Sequence, residues 1–405
     1  MVIYCLFMLN YSVYIHVPFC THRCAYCDFN TYAGLEALIP DYVEALCIEL
    51  SLVAQSSGMH LPVHTVFFGG GTPSLLPITS IERILSTLDQ NYNLQPDVEI
   101  SLEANPGSLN YLYLQELRRL GVNRLSFGMQ SAHTQELRLL ERGHDFGEVI
   151  RCVSWARQAG FTNLNLDLIF GLPYQLLESW EDNLSLALQL EPDHLSLYAL
   201  SLEHGTPMKH WVDRGLLPEP DPDVAAEMYE YSIDILEGSG YIQYEISNWA
   251  KQTSDHKLMS CQHNLQYWRN LPYLGFGAGA HGYAAGLRVA NVLAPVVYNQ
   301  RCLSYVNTET SILFPCTPAT ASITEVDQPA EMGETMMMGL RLTGEGISKR
   351  SFRERFGVAI ELVYGKEIEE LIAKGLLECR GDEGDILRLT RRGRLLGNQV
   401  FMRFV

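Results

Sequence analysis

The sequence has no apolar run long enough to cross a membrane, few basic side chains and few cysteines. A transmembrane helix needs about 20 consecutive apolar residues, so a membrane-spanning segment is not expected. Lysine and arginine number 29 against 47 acidic residues, which gives a formal net charge of −18. A chain this acidic is a poor ligand for polyanions, so nucleic acid and acidic membrane surfaces are not expected as main partners. Ten cysteines in 405 residues are too sparse for a disulfide framework, and unpaired thiols favour the reducing cytoplasm.

The composition is that of an ordinary folded globular chain. Hydrophobic residues make up 47% of the sequence and charged residues 19%, and a chain of this length can build one large and one smaller domain. Residues 1–10 are mostly apolar but lack a basic leader and a small-residue cleavage site. We therefore interpret them as an N-terminal extension rather than a signal peptide, with Met8 as a candidate for the true start.

Six apolar stretches alternate with segments of helical periodicity over the first half of the chain. The predicted strands are 11–17, 64–68, 98–102, 124–127, 163–169 and 194–200. The predicted helices are 41–55, one around 81–88, 109–120, 149–158 and 180–190. This alternation is typical of a parallel sheet with helical crossovers, and the continuous apolar strands suit burial on both faces. The sequence therefore predicts an α/β fold of the TIM-barrel type.

Polar or glycine-rich residues follow the carboxyl ends of these strands. In a barrel those ends share one rim, and barrels of this type place their sites there. Besides the cysteine loop described next, the residues expected to converge at the rim are Gly69, Gly70, Gly71, Thr72, Glu103, Gln130, Asp167 and Tyr198. Any one of them alone could be a turn residue or a cap. Successive strand ends that all carry such residues indicate a site.

Three cysteines follow the first strand at CxxxCxxC spacing: Cys20, Cys24 and Cys27. A loop of this kind can bring three thiolates to one point, which suits an iron–sulfur cluster with one iron left without a protein ligand. The alternative is a zinc ion held by the three cysteines and by His16 or His22. Structural zinc sites usually consist of two closely spaced ligand pairs, and the sequence has no second CxxC.

The second half of the chain has weaker periodicity. Residues 207–250 are predicted to be helical, and residues 293–328 to form a crossing or linker. Alternate glycines within 275–281 would allow close approach of the backbone to a ligand. The predicted organisation has an N-terminal extension, a barrel core, an extension of the barrel, a linker and a C-terminal domain, at 1–10, 11–206, 207–292, 293–329 and 330–405.

The C-terminal segment has the pattern of a small helix-plus-wing domain. Its predicted elements are helices at 331–342 and 360–373, a hairpin near Leu377 and 386–389, and a last helix capped by Thr390. Such domains often bind DNA, but the helices here are acidic. Because the cationic residues cluster only at Arg391, Arg392 and Arg394, packing or docking of a partner is favoured over DNA.

Long strings of the sequence resemble the radical S-adenosylmethionine superfamily, and within it the oxygen-independent coproporphyrinogen III oxidase family. The matching strings are His16-Val-Pro-Phe-Cys20, Cys27-Asp-Phe29, Gly69-Gly-Gly-Thr-Pro-Ser74, Glu103-Ala-Asn-Pro106, Ser126-Phe-Gly-Met-Gln130-Ser and Asp167-Leu-Ile-Phe-Gly-Leu-Pro173. The resemblance covers nearly the whole chain. It implies a partial (β/α)6 barrel with a [4Fe–4S] cluster on the cysteine loop, followed by a smaller C-terminal domain of the HemN type.

The resemblance also implies which residues contact S-adenosylmethionine. Gly70, Gly71 and Thr72 would approach its methionyl end, and Glu103 would accept hydrogen bonds from the amino group or the ribose. The remaining contacts implied by the resemblance are Tyr14, Phe29, Gln130, Arg142 and Asp167. Arg142 could fork onto a carboxylate. An electron donor of low potential would feed the cluster, and a 5′-deoxyadenosyl radical would result.

Two branches of the family differ in function. One is the true oxidase, which decarboxylates a porphyrinogen; the other comprises haem chaperones of the HemW type, which carry haem to acceptors such as respiratory enzymes. The oxidase pattern continues with a fourth cysteine where this chain has Phe29, and the oxidase has a longer segment before its cluster loop. An HNxxYW motif, typical of the chaperones, spans 263–268. All three features favour the chaperone branch.

The HNxxYW motif supplies the candidate haem residues His263, Asn264, Tyr267 and Trp268. A neutral imidazole is a suitable ligand of haem iron, so His263 is the candidate for an axial ligand or another haem contact. The alternative is a histidine packed in the core against Tyr267 and Trp268. A third class of function, a radical enzyme acting on tRNA, is disfavoured by the acidic charge and the absence of an added basic domain.

Overall fold

The computed structural model of the protein describes residues 10–305 and 312–405. The prediction of Met8 as the start, all but the last residue of the predicted extension, and part of the predicted linker lie outside the described residues. The chain forms two compact units, of which the first comprises Met1–Ala225 and Pro272–Glu325 and the second Ala226–Leu271 and Val326–Val405. This division into two units does not test the predicted domain boundaries, which stay a prediction. In the part of the chain that the structure describes, no helix is both long and apolar enough to cross a membrane.

Six parallel strands form the centre of the first unit. The strands up to residue 199 are β1 (Tyr11–Val17), β2 (Phe19–Cys20), β3 (Tyr32–Ala33), β4 (Pro62–Gly70), β5 (Asn93–Ala104), β6 (Arg124–Gln130), β7 (Leu164–Phe170) and β8 (His194–Ala199). Strands β1, β4, β5, β6, β7 and β8 lie side by side in that order, each parallel to the next. Strands β1 and β7 are buried along almost their whole length, which explains their continuous apolar sequences.

Helices connect the successive strands of this sheet. They are α1 (Ile39–Ser57), α2 (Ile78–Asn91), α3 (Tyr111–Arg119), α4 (Thr134–Leu139), α5 (Phe146–Gln158) and α6 (Leu177–Gln189). Local capping fixes several of their ends. The side chain of Asp145 accepts the backbone N–H of Glu148 and completes a capping box at the start of α5, and Gly58 ends α1 in the left-handed conformation. The predicted partial (β/α)6 barrel is therefore confirmed.

An extension continues the sheet beyond β1. It contains β11 (Tyr273–Phe276), β12 (His281–Ala284), β13 (Leu287–Asn291) and β14 (Thr320–Glu325), with β11 parallel to β1 and the others antiparallel in sequence order. The helix between β13 and β14 runs from Pro295 to Tyr305. The stretch predicted as a crossing of weak periodicity thus contains a helix and a strand. The strand β14 is ordered by pairing with β13, which local periodicity does not report.

The alternate glycines of the extension contact protein rather than a ligand. A Cβ on Gly275 would lie 1.9 Å from the carbonyl oxygen of His281. Gly277 has a φ of +101°, and a Cβ there would lie 2.5 Å from the Tyr42 hydroxyl and 2.6 Å from the His16 carbonyl oxygen. Glycine is needed because two stretches of backbone approach each other closely. The expectation that these glycines serve a ligand is therefore wrong at Gly275 and Gly277.

A fully buried carboxylate joins the extension to the barrel. Glu49 on α1 accepts hydrogen bonds from the Gly277 N–H at 2.8 Å, the Asn291 side-chain amide at 2.7 Å and the Tyr298 hydroxyl at 2.6 Å. Burial raises the pKa of Glu49, and these donors act against that rise. A buried charge is tolerated when it is hydrogen-bonded in this way, so Glu49 is a structural link that serves no cavity.

The second unit contains a hairpin, the HNxxYW segment and the C-terminal helices. Its strands are β9 (Tyr241–Glu245), β10 (Asn248–Lys251), β15 (Ile347–Ser348), β16 (Leu377–Arg380) and β17 (Ile386–Leu389). The α-helices of the whole described chain that lie outside the barrel crossovers are, in chain order, α7 (Pro207–Asp213), α8 (Pro222–Gly238), α9 (Gln262–Trp268), α10 (Pro295–Tyr305), α11 (Gln328–Gly339), α12 (Lys349–Phe356), α13 (Ile360–Ala373), α14 (Arg391–Leu395) and α15 (Gly397–Phe401). Of these, α7 and α10 belong to the first unit.

The predicted helix-plus-wing arrangement is present at the C-terminus. Strand β17 pairs antiparallel with both β15 and β16, and the side chain of Thr390 caps α14 by accepting the Gly393 N–H. One core of buried apolar side chains, including Met336, Phe352 and Leu387, joins these elements. One helical prediction was wrong, because residues 207–250 contain the β9–β10 hairpin as well as helices. The helix α12 was missed by the sequence analysis.

Candidate functional site

The carboxyl ends of the barrel strands surround a cavity of about 380 Å³ in the first unit. Small-molecule sites typically have volumes of roughly 300–1,000 Å³. The predicted residues that line this cavity are Cys20, Cys24, Cys27, Phe29, Gly70, Gly71, Thr72, Glu103, Gln130, Arg142, Asp167 and Tyr198. The structure therefore brings together side chains from six strand ends. Tyr14 is not among the residues that line the cavity. Its hydroxyl meets His16 Nδ1 at 3.0 Å.

The cysteine loop is held by short strands and by its own turn. Strand β2 pairs parallel with β3, with Phe19 opposite Tyr32, and the Cys27 N–H donates to the Cys24 carbonyl at 3.2 Å. Cys20 is buried, whereas Cys24 and Cys27 are half-buried, and all three are free thiols. Burial raises the pKa of the Cys20 thiol, and the neighbouring Cys27 and Cys24 add to the rise. The three sulfurs are thus close enough to repel one another as thiolates.

Hydrogen-bond donors from the turn after β4 and from the loop after α4 reach the same sulfurs. The Thr72 hydroxyl donates to Cys20 Sγ at 3.6 Å, and Arg142 Nη1 donates to Cys24 Sγ at 3.6 Å. Such donors stabilise thiolates, which are the ligands of iron–sulfur clusters. Within the described residues, no three His, Cys, Asp or Glu side chains are arranged to hold a single metal ion. A cubane cluster does not require that arrangement, since each cysteine binds a different iron, and the donor set fits such a cluster.

Of the two alternative zinc ligands, His16 is engaged elsewhere, and His22 lies in the cavity lining. His16 contacts Tyr14 through Nδ1, and its Nε2 lies 2.9 Å from the Asn30 carbonyl oxygen. Burial lowers the pKa of His16, so the ring is held neutral between these two partners. His22 is exposed and its Nε2 lies 3.4 Å from a carboxylate oxygen of Glu141. His16 therefore has neither ring nitrogen available to a metal ion in this conformation.

The glycine turn after β4 packs directly on the cysteine loop. A Cβ on Gly71 would lie 2.6 Å from the Phe19 carbonyl oxygen and 3.0 Å from Cys20 Sγ. Gly70 has a φ of +111°, and a Cβ there would lie 2.4 Å from the His16 ring. The Gly71 and Thr72 N–H groups donate to the Val17 and Phe19 carbonyls, both at 2.8 Å. Glycine is therefore required to seat the turn on the loop, and those two amides are not free for a ligand.

Glu103 presents a carboxyl group with an unusual pKa to the cavity. One of its oxygens accepts the Gly70 N–H at 3.1 Å. Burial and the nearby Asp167 raise the pKa of Glu103 to about 7. A cationic or hydroxyl-bearing ligand would offset the repulsion between the Glu103 and Asp167 carboxylates. Opposite charge and hydrogen bonds to the ionised form both lower a carboxyl pKa. Glu103 is therefore suited to a positively charged group.

Asp167 is held by a hydrogen-bond network that the sequence did not reveal. Ser126 donates to one carboxylate oxygen at 2.7 Å and Asn165 to the other at 2.9 Å. The Asn165 side-chain oxygen in turn meets His194 Nδ1 at 2.6 Å and the Ser196 hydroxyl at 3.1 Å. These contacts fix the Asp167 carboxylate at the cavity wall. Asn165 and Asp167 stand two residues apart in an otherwise apolar strand, which was the available signal.

Gln130 is the last residue of β6, and Arg142 reaches β6 from the loop after α4. Arg142 Nη2 donates to the Asn105 side chain at 2.7 Å and to the Gly128 carbonyl at 2.9 Å. Because Nη1 is directed to Cys24, the predicted fork onto a ligand carboxylate is not available in this conformation. Gln130 has a φ of 62°, an uncommon conformation for a residue with a side chain. Such strain at the edge of a cavity is often maintained for function.

The HNxxYW segment forms α9 in the second unit. His263 is buried, with 1% of its surface exposed, and its Nε2 lies 2.9 Å from the Tyr267 hydroxyl. The two rings meet edge to face with centroids 5.0 Å apart. The Trp268 ring lies beneath the Arg341 guanidinium at 4.4 Å, and Asn264 is half-buried. In this conformation the segment is packed inward, and its contact with haem stays a prediction.

Fold and cavity together define a radical S-adenosylmethionine protein. The model of the radical SAM superfamily matches residues 14–187, and that of the HemN C-terminal domain matches residues 326–396. The chain is 37% identical over 395 residues to "Heme chaperone HemW" of Bacillus subtilis, covering 97% of this chain and 99% of the relative. With the protein of the same name from Synechocystis it shares 39% identity over 344 residues, covering 83% and 79%.

The chain belongs to the HemW family of this superfamily, the branch that Phe29 and the HNxxYW motif favoured. Among solved structures, coproporphyrinogen III oxidase (HemN) of Escherichia coli superposes with a TM-score of 0.81 at 24% identity. The match covers 98% of this chain and 90% of the oxidase. At that identity the likeness concerns the fold alone.

Proposed function

We propose that this protein is a haem chaperone that carries a [4Fe–4S] cluster, binds S-adenosylmethionine in the barrel cavity and delivers haem to acceptor proteins. The observation that carries the proposal is the joint placement of three free cysteines, two donors to their sulfurs and a cavity-facing Glu103 at one barrel mouth. The relatives that bear the name of a haem chaperone support the transport of haem over its synthesis.

The residues of the cavity have separate roles in this proposal. Cys20, Cys24 and Cys27 would hold the cluster and leave one iron open. Glu103 and Asp167 would accept hydrogen bonds from the amino and ribose groups of S-adenosylmethionine. When bound, the cluster and its cofactor supply one-electron chemistry. The protein orients the cofactor through these carboxylates and excludes water with the β4 turn and the cysteine loop.

In this proposal the HNxxYW segment binds haem, which then passes to acceptor proteins. His263, Asn264, Tyr267 and Trp268 would contact haem once the inward packing of α9 is released. The acceptors would be haem proteins such as respiratory enzymes, and a low-potential donor would reduce the cluster. The acidic net charge is consistent with partners that are not polyanions. We place the protein in the cytoplasm because its free thiols suit a reducing compartment.

The proposal is tested with anaerobically reconstituted protein in two parallel reactions. One reaction mixes haem-loaded protein with a haem-free acceptor and follows transfer by the absorbance of the acceptor's haem. The other mixes reduced protein, S-adenosylmethionine and coproporphyrinogen III and follows protoporphyrinogen formation. We expect transfer in the first and no decarboxylation in the second. Clear protoporphyrinogen formation without haem transfer would assign the oxidase activity instead.

A further inference from the structure

Thr31 is fixed beside the cysteine loop by backbone contacts on both sides. Its own N–H donates to the Phe29 carbonyl at 2.8 Å, and the next N–H, that of Tyr32, donates to the Pro18 carbonyl at 2.7 Å. Pairing of β2 with β3 aligns Cys20 with Ala33. Thr31 is 6% exposed and lines the cavity together with all three cysteines. Its backbone is therefore fixed beside the cysteine loop, and its side chain is buried there.

The hydroxyl of Thr31 has no hydrogen-bond partner among the residues that the structure describes, although its oxygen is buried. A buried hydroxyl left in this state lowers the stability of the folded protein. Valine has the same shape without the hydroxyl and would avoid this cost. A hydroxyl in such a position indicates an acceptor that forms when the site is loaded.

The Thr31 side chain lines the same cavity as Cys20 and Cys27. Burial is the largest influence on the thiols of Cys20 and Cys27 and raises the pKa of each. The Thr31 hydroxyl lowers the pKa of both thiols, although it meets neither sulfur with hydrogen-bond geometry in this conformation. Within the described part of the chain, Thr31 is thus a buried hydroxyl without an acceptor in the cavity that all three cysteines line. Thr72 contacts Cys20, and Arg142 contacts Cys24.

We propose that Thr31 donates a hydrogen bond to the cluster-bearing sulfurs of Cys20 and Cys27 and thereby raises the reduction potential of the cluster. The inference rests on the proposed function, because it presupposes that the three cysteines hold a cluster. Reduction adds one electron and increases the negative charge on the cysteine sulfurs. A donor beside those sulfurs therefore stabilises the reduced form more than the oxidised form, and hydrogen bonds to sulfur are among the determinants of cluster potential.

A purely structural role for Thr31 makes a different prediction. If only its shape matters, Thr31→Val preserves the packing and leaves the cluster unchanged. If the hydroxyl matters, Thr31→Val changes the potential, whereas Thr31→Ser, which keeps the hydroxyl and removes the methyl group, retains it. The two variants therefore separate the hydrogen bond from the packing.

The experiment compares the wild-type protein with both variants after anaerobic reconstitution. Iron and sulfide analyses first establish equal cluster content, and a dithionite titration followed by electron paramagnetic resonance then gives the potential. For Thr31→Val we expect a more negative potential, with the ratio of reduced to oxidised cluster at a fixed applied potential lowered about tenfold, equivalent to about 59 mV for one electron. Thr31→Ser should stay near the wild type.

Controls make the outcomes distinguishable. Thr87→Val removes a hydroxyl that donates to Arg83 on the exposed face of α2, and its potential should equal that of the wild type. An unchanged potential in Thr31→Val, or an equal shift in Thr31→Ser, overturns the inference and leaves the proposed function intact. If the wild-type protein takes up no cluster, the proposed function fails and the inference fails with it.

Discussion

The barrel mouth of the first unit and the HNxxYW segment of the second differ in how their polar groups are satisfied. At the mouth, Glu103 and Thr31 direct polar atoms towards a cavity, and donors face the cysteine sulfurs. In the HNxxYW segment, the polar atoms of His263 and Tyr267 meet each other. The mouth is prepared for its ligand before the ligand arrives. The segment has to give up an internal contact before His263 Nε2 can bind anything else.

This difference has an energetic meaning. Buried groups without partners reduce the stability of the folded protein. A ligand that supplies the partners therefore gains those hydrogen bonds without first breaking others, because the groups were already desolvated when the protein folded. A site closed by its own hydrogen bonds is stable without ligand, and part of the binding free energy is used to open it. We therefore expect variants at the mouth to alter ligand binding strongly and variants at Tyr267 to alter it weakly.

The largest expected effect is loss of the cluster. Cys24→Ala removes one of the three proposed iron ligands and leaves Arg142 Nη1 without its sulfur acceptor. After anaerobic reconstitution, bound iron should fall from about four per chain to nearly none. Cys379→Ala is the matched control, because Cys379 is an exposed free thiol of the second unit. A full four-iron spectrum from Cys24→Ala would contradict the assignment of the cysteine loop.

The next largest effect concerns Glu103 and S-adenosylmethionine. Glu103→Gln keeps the shape of the side chain but removes its charge, which we expect to weaken binding of the sulfonium cofactor. Loss of a charge-assisted hydrogen bond is worth about 1.5–3 kcal/mol, so the dissociation constant measured by calorimetry should rise about 10- to 100-fold. The matched control is Glu136→Gln, whose carboxylate is bonded to Ser131 and Ser179 outside the cavity lining.

The same variant tests the raised pKa of Glu103. In the folded, ligand-free protein this pKa is about 7, whereas an unfolded chain has the ordinary value of about 4.3. The extra proton affinity of the folded state stabilises it below the unfolded value, and this stabilisation is lost as pH rises through about 7. Between pH 6 and pH 8 the wild type should lose about 1 kcal/mol of unfolding free energy relative to Glu103→Gln. If denaturant titrations gave unfolding free energies that change in parallel with pH for the wild type and Glu103→Gln, Glu103 would have an ordinary pKa.

The sequence predicted the mouth better than the interior that supports it. Strand β1 has the predicted bounds Tyr11–Val17, since a continuous apolar run is a local signal. The Asn165–Asp167 network depends on the register of β7 against β8, where Asp167 lies opposite Ser196, and no local pattern encodes that pairing. The β9–β10 hairpin was missed because the helical spacing of the preceding helix was extended through Gly238 and Gly240. A glycine pair of this kind is a turn signal.

The smallest expected effect belongs to the HNxxYW segment. Tyr267→Phe removes the hydroxyl that meets His263 Nε2 and keeps the ring that packs against it. If opening of this contact precedes haem binding, the variant should bind haem up to about fivefold more tightly, corresponding to about 1 kcal/mol for one hydrogen bond, in a titration followed by the Soret band. His263→Ala should instead weaken binding. Tyr113→Phe, which removes a hydroxyl bond to the Leu76 carbonyl in the first unit, should change neither. Weaker binding by Tyr267→Phe would mean that the hydroxyl itself contacts haem, and the segment would then resemble the mouth in being prepared for its ligand.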